Sequence, residues 1–405
     1  MTFVRSRARR RSKGVNFTRR LASCTAALLI AAVFSLASGT AARAQTAPPP
    51  AADLQVTTAS YLGGVGLLAT AVDVAPDGTA VVGGLSGREG GEGAESLVVG
   101  GASVVSLLGG GNGLIARLAA PIPNSSAGPH LLSLARLPGA IEDLRVNASG
   151  SIVVCGEMGV AVLDAGASAV QWSDAPGAVR RCALGDDGMV GALAGSSLYV
   201  YGPGGTLVAS WPVGGSVQSD VAVDARHGLV FATGYSNRRT AQGEWVQVAF
   251  LKAWHYSGVP AWADYDAPVE QLGVWIADTR GVRVALGRDG KLYFAAESAG
   301  GSSIFTRHPR NVARALPGEQ LVRTDVFTNP SYNTKSNHIT WFGRYDPVDG
   351  TLEKGQFVLA RLDFGSFRGN TIRPRAITAD EEGRVYLAGV TTASIHNREA
   401  RSISG

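Results

Sequence analysis

Short apolar runs alternate with glycine-containing turns along most of the chain, and one unit recurs. Its first copy spans residues 71–84 and reads AVDVAPDGTAVVGG. The unit is an apolar strand, a turn that ends in glycine, and a second apolar strand that ends in a small residue. Six turns have this form, at Gly78, Gly150, Gly188, Gly228, Gly290 and Gly383.

The positions after each turn glycine repeat the same pattern. Apolar residues stand two and four positions later, as in the pair Ile152 and Val154, and such residues share one face of a strand. Glycine supplies the positive φ that tight hairpin turns require. The pattern therefore predicts six β-hairpins, with a close backbone approach at the small residue six positions after each turn. These small residues are Gly84, Gly156, Ala194, Gly234, Ala296 and Gly389.

The spacing of the turns predicts the architecture. Successive turn glycines are 72, 38, 40, 62 and 93 residues apart, and about 40 residues is the period of a four-stranded propeller blade. A fourth strand that ends at Trp211 follows one hairpin. We therefore expect an all-β chain, a β-propeller of about six to seven four-stranded blades over residues 54–405. Third strands are predicted at Gly113–Ala120, Gly159–Asp164, Ser197–Tyr201, Val246–Trp254 and Gln356–Asp363.

The last predicted blade contains a single hairpin. The sequence ends at Gly405, soon after the turn at Gly383, and Leu54–Tyr61 could supply one closing strand from the other end. We expect either an irregular closure or a propeller that is incomplete at the C-terminus of this sequence.

The first 44 residues have the pattern of a secretory signal peptide, which is expected to form a helix. A basic segment precedes the apolar run Leu21–Leu36, and the small-x-small site Ala42-Arg43-Ala44 follows it. The alternative is a membrane anchor, for which this run is short of the roughly 20 residues required. We expect cleavage before Gln45, a flexible Pro/Ala-rich lead-in at 45–53, and a periplasmic, extracellular or cell-surface protein without stable membrane insertion.

Cleavage changes the charge of the protein. The whole chain has 37 basic and 32 acidic residues, and nine basic residues but no acidic residue fall in the first 44. The mature chain therefore has 28 basic and 32 acidic residues. A mildly acidic protein gives no reason to expect nucleic acid as a partner.

Several segments resemble the bacterial seven-bladed β-propeller repeat, often abbreviated SBBP. Tyr61-Leu62-Gly63-Gly64 resembles the start of its unit, residues 376–389 resemble its hairpin, and Phe357-Val358-Leu359-Ala360-Arg361-Leu362 resembles its third strand. The resemblance covers both ends of the chain well and the middle weakly. It implies a propeller outside the cytoplasm, and it implies no catalytic residues because the repeat motif is structural.

No motif in the sequence names a reaction. The six histidines have no zinc spacing, and no nucleophile elbow or phosphate loop is present, so we expect neither a cofactor nor a metal. Two cysteines, Cys155 and Cys182, remain after cleavage. They could form a disulfide in an exported protein, or they could be two small buried apolar residues.

Polar chemistry is concentrated between residues 275 and 375, with polar insertions expected around 300–355. Long loops on a rigid scaffold are where function concentrates, and arginine beside aromatic and acidic residues suits carbohydrate or carboxylate ligands. The main hypothesis is a monomeric, non-enzymatic binding or scaffold module for an extracellular protein or glycan. The alternatives are a hydrolase or lyase for extracellular polymers, with Glu297 and His308 in its site, and a salt-bridged insertion without a ligand. The candidate ligand-binding residues are Arg280, Glu297, Arg307, His308, Trp341, Arg344 and Asp346.

Overall fold

Strands dominate the part of the chain that can be described. The computed structural model describes residues 67–86, 103–119, 130–240, 242–275, 277–321, 328–330, 337–361, 369–393, 395–396 and 402–403. They belong to one compact unit, Val56–Gly405. The predicted signal peptide, the lead-in and the predicted strand Leu54–Tyr61 lie outside the described residues.

The strands form a series of antiparallel sheets, which confirms the all-β prediction and agrees with propeller-like blades. Sheet 1 contains β1 (Leu67–Val74), β2 (Ala80–Ser86), β4 (Gly113–Leu118) and β5 (Leu131–Leu137), with β3 (Ser103–Ser106) parallel to β5. Sheet 2 contains β6 (Ile141–Val146), β7 (Ile152–Gly156), β8 (Gly159–Leu163) and β9 (Val170–Asp174). Sheet 3 contains β10 (Val179–Leu184), β11 (Val190–Ala194), β12 (Ser197–Tyr201) and β13 (Leu207–Pro212).

The later sheets carry longer strands and insertions. Sheet 4 contains β14 (Val217–Asp224), β15 (Leu229–Arg239), β16 (Trp245–His255) and β17 (Pro260–Asp264). Sheet 5 contains β18 (Asp278–Leu286), β19 (Leu292–Ala299), β22 (His338–Tyr345) and β23 (Leu352–Val358), and sheet 6 contains β26 (Ile372–Ala379) and β27 (Val385–Thr391). The short elements are helix α1 (Val269–Leu272), the 3₁₀ turns Ile304–Thr306 and Gly318–Gln320, and the strand pairs β20 (Arg307–His308) with β21 (Asn311–Ala315), β24 (Ala360–Arg361) with β25 (Gly369–Asn370), and β28 (Ile395–His396) with β29 (Ser402–Ile403).

The six predicted hairpins are confirmed. All six turn glycines have a positive φ, between 63° and 83°, and each joins the first strand of a sheet to its second. The predicted close approach is also present. A Cβ on Gly156 would lie 1.9 Å from the carbonyl oxygen of Ala140, at the start of β6.

Every first strand contains a one-residue register shift against the second strand. The shifts occur at equivalent places. The small residue that ends the second strand is paired with a residue of the first strand, and the next residue of the first strand is skipped. The residues skipped in the pairing are Thr70, Glu142, Arg180, Ser219, Val282 and Arg375.

Successive sheets pack face to face through their first two strands. In β7, Ile152 and Val154 pack towards sheet 1, whereas Val153 and Cys155 pack towards sheet 3. Both faces of an inner strand are thus buried, which explains why these strands read as nearly continuous apolar runs. First strands of neighbouring sheets are in contact from β1 through to β26, and the described residues show no comparable packing between β26 and β1.

The antiparallel order gives each sheet two distinct ends. We call the end with the turn glycines the hairpin end. The opposite end, called the loop end, carries the connections from second to third strand and from one sheet to the next. The connections from β17 to β18 and from β19 to β22 both leave the sheets at the loop end of sheets 4 and 5, and residues 318–321 of the second connection lie beside β23, where Leu321 bridges Gly355.

Two sequence predictions for sheet 5 need correction. Its third strand is β22, and the predicted third strand Gln356–Asp363 instead overlaps β23, the fourth. The insertion predicted around 300–355 therefore ends before residue 338, because residues 338–345 and 352–358 pair within the sheet. A tight turn at 346–351 joins the two strands, and its polar residues resemble those of a longer loop.

Candidate functional site at the loop end of sheets 4 and 5

The structure divides the seven predicted site residues among four places. Arg280 and Glu297 lie at the loop end of sheet 5, Arg307 and His308 in the connection after β19, Arg344 and Asp346 at the hairpin end, and Trp341 in the core. Glu297 pairs with Thr340 across the sheet, and Tyr293 pairs with Arg344. The two ends are therefore separated by four strand residues, or about 13 Å.

Glu297 is held in a cluster of polar side chains at the loop end. Its Oε2 lies 3.0 Å from Nδ1 of His338 and 4.0 Å from a terminal guanidinium nitrogen of Arg280. Arg280 also donates from Nε to the side-chain oxygen of Gln247 in sheet 4, and its guanidinium lies 5.7 Å from the ring centre of Tyr235. These contacts join residues of two sheets, and the carboxylate of Glu297 is paired with side chains of the protein itself.

The charge of Glu297 follows from these neighbours. Burial alone would raise the pKa of this carboxyl, but contact with His338 and the charges of Arg373 and Arg280 hold the pKa below its ordinary value. A carboxylate kept ionised in this way suits ion pairing. It does not suit a general acid, which must carry a proton near neutral pH.

The side chains of Arg307 and His308 form hydrogen bonds within the connection in which they lie. The guanidinium of Arg307 stacks 4.6 Å above the ring of Trp275 and donates to the carbonyl oxygens of Val312, at 2.9 Å, and Ala313. Burial, together with the charges of nearby arginines, lowers the pKa of His308, whose Nδ1 accepts the Arg310 N–H at 3.3 Å.

Trp341 is a core residue and not a ligand contact. Its side chain is fully buried, its ring stacks on Phe305 at 5.6 Å, and it meets the edge of Phe357 at 4.8 Å. A Cβ on Gly355 would lie 2.2 Å from the indole, so this glycine makes room for the ring. The sequence interpretation of Trp341 as ligand-binding is therefore corrected.

Arg344 and Asp346 belong to a second charged group at the hairpin end of sheet 5. Arg344 Nε lies 2.8 Å from Glu353, and Lys291 bridges Glu353 at 2.5 Å and Asp346 at 3.3 Å. Arg344 also lines a cavity of about 170 Å³, beside Tyr293 and Phe342. This volume is below the ~300 Å³ of ordinary ligand pockets, so the group is better described as a paired charge network.

The residues named for a hydrolase or lyase have the following partners in the structure. The histidine beside Glu297 is His338, and His308 contacts the backbone of Arg310 instead. Glu297 does meet Arg280, but Arg344 lies at the other end of the sheet.

The loop end of sheet 4 carries a feature that the sequence analysis missed. The hairpin of β15 and β16 continues for four residues past Tyr235, which is the last residue of β15 paired with β14. Near its tip, the guanidinium of Arg239 lies 4.9 Å from the ring centre of Trp245, whose side chain is 65% exposed. Within the described residues Arg239 has no carboxylate partner. We call Arg239 and Trp245 the tip pair.

Ion pairs with Asp266 hold both the outer part of this hairpin, at Arg238, and its inner part, at Lys252. Asp266, in the segment that joins sheets 4 and 5, lies 3.1 Å from Arg238 and 2.7 Å from Lys252. The tip pair is thus displayed on a braced support. The strand predicted from sequence begins at Val246 and so excludes Trp245. The length of the alternating apolar pattern was the signal in the sequence that could have indicated the longer hairpin.

A second missed feature runs along the first strands. In each successive pair of sheets, an aspartate or arginine of one first strand forms a hydrogen bond with the backbone of the next. The five links run from the Val146 N–H to Asp73 Oδ2 (2.8 Å), from the Cys182 N–H to Asp143 Oδ2 (3.4 Å), from Arg181 Nε to the Ser219 carbonyl (3.3 Å), from the Val284 N–H to Asp220 Oδ2 (3.0 Å) and from Arg283 Nε to the Arg375 carbonyl (2.6 Å). We call these five side chains the inner-strand links.

No protein-family model matches the chain, and no curated protein matches it either. Within the described part of the chain, no helix combines the length and apolar character needed to cross a membrane.

Proposed function

We propose that this chain is an exported β-propeller of the seven-bladed bacterial repeat type, serving as a binding or scaffold module for an extracellular partner. The serial antiparallel sheets, each packed on the next through its first strands, support the propeller. The alternation of buried residues on both faces of the inner strands supports it further.

The proposed ligand is a glycan that carries carboxylate groups, and the tip pair is the observation that carries this proposal. An exposed tryptophan at the end of a braced hairpin offers a flat apolar face of the kind that packs against a sugar ring. Arg239 beside it offers a planar, permanently charged group that binds carboxylates in a bidentate manner. A protein partner is the second candidate, because tryptophan and arginine also dominate protein interfaces.

The proposal is tested by titrating the full chain with oligogalacturonate and oligoalginate, and with uncharged maltodextrin for comparison. We expect binding of an acidic oligosaccharide and a loss of affinity of about tenfold in Trp245→Ala and in Arg239→Ala. Val259→Ala is the matched control, because Val259 is also exposed, at 57%, and lies at the hairpin end of the same sheet.

Two results would overturn the glycan proposal. One is the absence of binding to any acidic oligosaccharide, and the other is binding that Trp245→Ala leaves unchanged. Retention of a protein from an extracellular fraction that depends on Trp245, without glycan binding, would select the protein partner instead.

The hydrolase or lyase alternative is examined with the same oligosaccharides. Glu297 is paired with His338 and lies near Arg280, and these neighbours lower its pKa, which disfavours a general-acid role. Release of new reducing ends or unsaturated ends, lost in Glu297→Gln, would favour the enzyme over the binding module.

A further inference from the structure

Sheets 2 and 3 meet through two cysteines from different strands. Cys155 lies in β7 and Cys182 in β10, and both side chains are fully buried. They belong to one apolar cluster, in which Val153 of β7 and Val190 of β11 also pack. Because β7 and β10 come from neighbouring sheets, a bond between the two cysteines would join those sheets covalently.

Asp143 is a neighbour of both cysteines. It is the Cα partner of Cys155 across β6 and β7. Its carbonyl oxygen accepts the thiol of Cys182 at 3.6 Å, and its carboxylate accepts the Cys182 N–H at 3.4 Å. Both thiols pack in the same buried cluster, and both are free in this structure.

We propose that Cys155 and Cys182 form a disulfide between sheets 2 and 3 when the chain folds in an oxidising compartment. The proposal does not depend on the tip pair or on any glycan. It selects one of the two interpretations that the sequence left open, and it rests on the pairing of Cys155 with Asp143, the hydrogen bonds of Cys182 to Asp143 and the shared buried cluster.

The oxidant is a small-molecule or protein disulfide. The thiolate of one cysteine attacks the oxidant and forms a mixed disulfide, releasing one thiol of the oxidant. The second cysteine then loses its proton, attacks the mixed disulfide and displaces the second thiol. The two cysteines lose two protons and two electrons, and the oxidant is reduced to two thiols.

Burial determines when this exchange takes place. Burial raises the pKa of both thiols, so the folded protein holds them protonated and out of reach of an oxidant. The bond should therefore form while sheets 2 and 3 are assembling, and slowly or not at all once they have closed.

The test refolds the full chain carrying Cys24→Ser, so that only two cysteines remain, with either glutathione disulfide or a reductant. Alkylation under denaturing conditions and intact mass then count the free thiols. We expect the oxidised sample to lose two hydrogens and take up no alkylating agent, and its thermal midpoint to rise by about 5 °C over the reduced sample.

Cys155→Ala and Cys182→Ala, each in the Cys24→Ser background, are the controls, and each should retain one reactive thiol and show no rise in thermal midpoint. The reduced and oxidised forms of the two-cysteine chain are compared directly, so the test holds even when an alanine variant folds poorly. The proposal is overturned when the natively folded, oxidised sample keeps two free thiols, or when the cross-linked species melts below the reduced one.

Discussion

Two buried carboxylates show that neighbouring groups decide charge as much as burial does. Asp264, at the end of β17, is fully buried and lies 3.5 Å from Nε of Arg310. Burial raises its pKa to about 7, although the charge of Arg310 acts in the opposite direction. Glu297 is also largely buried, but contact with His338 and two arginine charges lower its pKa. The same kind of group is therefore driven towards opposite protonation states within neighbouring sheets.

Asp264 gives the protein a predicted pH dependence. The folded pKa of about 7 lies above the ordinary value of 3.8, so between these values the folded state holds a proton that the unfolded chain has released. Stability should therefore fall as pH rises from about 4 to 7. Asp264→Asn, an uncharged mimic of the protonated acid, should lose this dependence, so its advantage in stability over the wild type should grow by about 2–3 kcal/mol between pH ~5 and pH ~8.

Urea unfolding at the two pH values checks this expectation. Asp164→Asn replaces a half-buried turn carboxylate of sheet 2, whose lowered pKa keeps its titration below this pH range, and should leave the pH dependence in place. Equal pH slopes for Asp264→Asn and the wild type would contradict the assignment.

At the scale of the strand, the small residue that ends each second strand and the register shift in the first strand belong together. The carbonyl oxygen of the residue before the shifted pair points directly at the small residue, as that of Ala140 does at Gly156 and that of Val217 does at Gly234. A Cβ at Gly156 or Gly234 would have to push this carbonyl away, whereas sheets 3 and 5 keep the shift with alanine at the equivalent position. The repeated small residue is therefore explained by a contact between two strands of one sheet, and not by crowding at a central axis.

Gly156→Ala tests this contact. A Cβ placed 1.9 Å from the Ala140 oxygen must move backbone, and we expect the free energy of unfolding to fall by about 2–3 kcal/mol. Gly204→Ala is the control, because a Cβ there meets nothing within 4 Å and the turn does not need a positive φ. It should change stability by less than about 0.5 kcal/mol. Denaturant unfolding measures both, and equal effects would argue against the close approach.

The hairpins could be predicted from sequence because each depends on local chemistry, a glycine with positive φ between two apolar strands. The third strand of sheet 5 could not, since the connection 300–337 separates β22 from β19 and the turn at Asp346–Gly350 imitates part of a loop. Candidate site residues chosen by composition were scattered for a similar reason. Four residues along one strand separate the partner of Glu297 from Arg344, and linear proximity does not reveal which end of a sheet a residue occupies.

For the molecule as a whole, the inner-strand links connect all six sheets in sequence. Each first strand skips one residue in its pairing with the second strand. In sheets 2 to 5 the residue that follows the skipped one is charged, and these residues are Asp143, Arg181, Asp220 and Arg283. Acidic and basic residues alternate along this series, so neighbouring charges attract. Arg181, for example, lies 3.8 Å from Asp220. The links thus combine hydrogen bonds between sheets with favourable electrostatics among them.

The charge of the whole molecule provides the last prediction. Nine of the 37 basic residues fall in the first 44 positions, which contain no acidic residue. If the chain is exported, cleavage after Ala44 should convert a basic precursor into an acidic protein. We expect N-terminal sequencing of the secreted or periplasmic protein from a bacterial host to begin at Gln45, and isoelectric focusing to place it below neutrality. Ala44→Arg should block cleavage and leave a basic, membrane-retained precursor, whereas Ala47→Arg, three residues beyond the site, should still be processed. A mature protein that keeps its first 44 residues would contradict the export proposal.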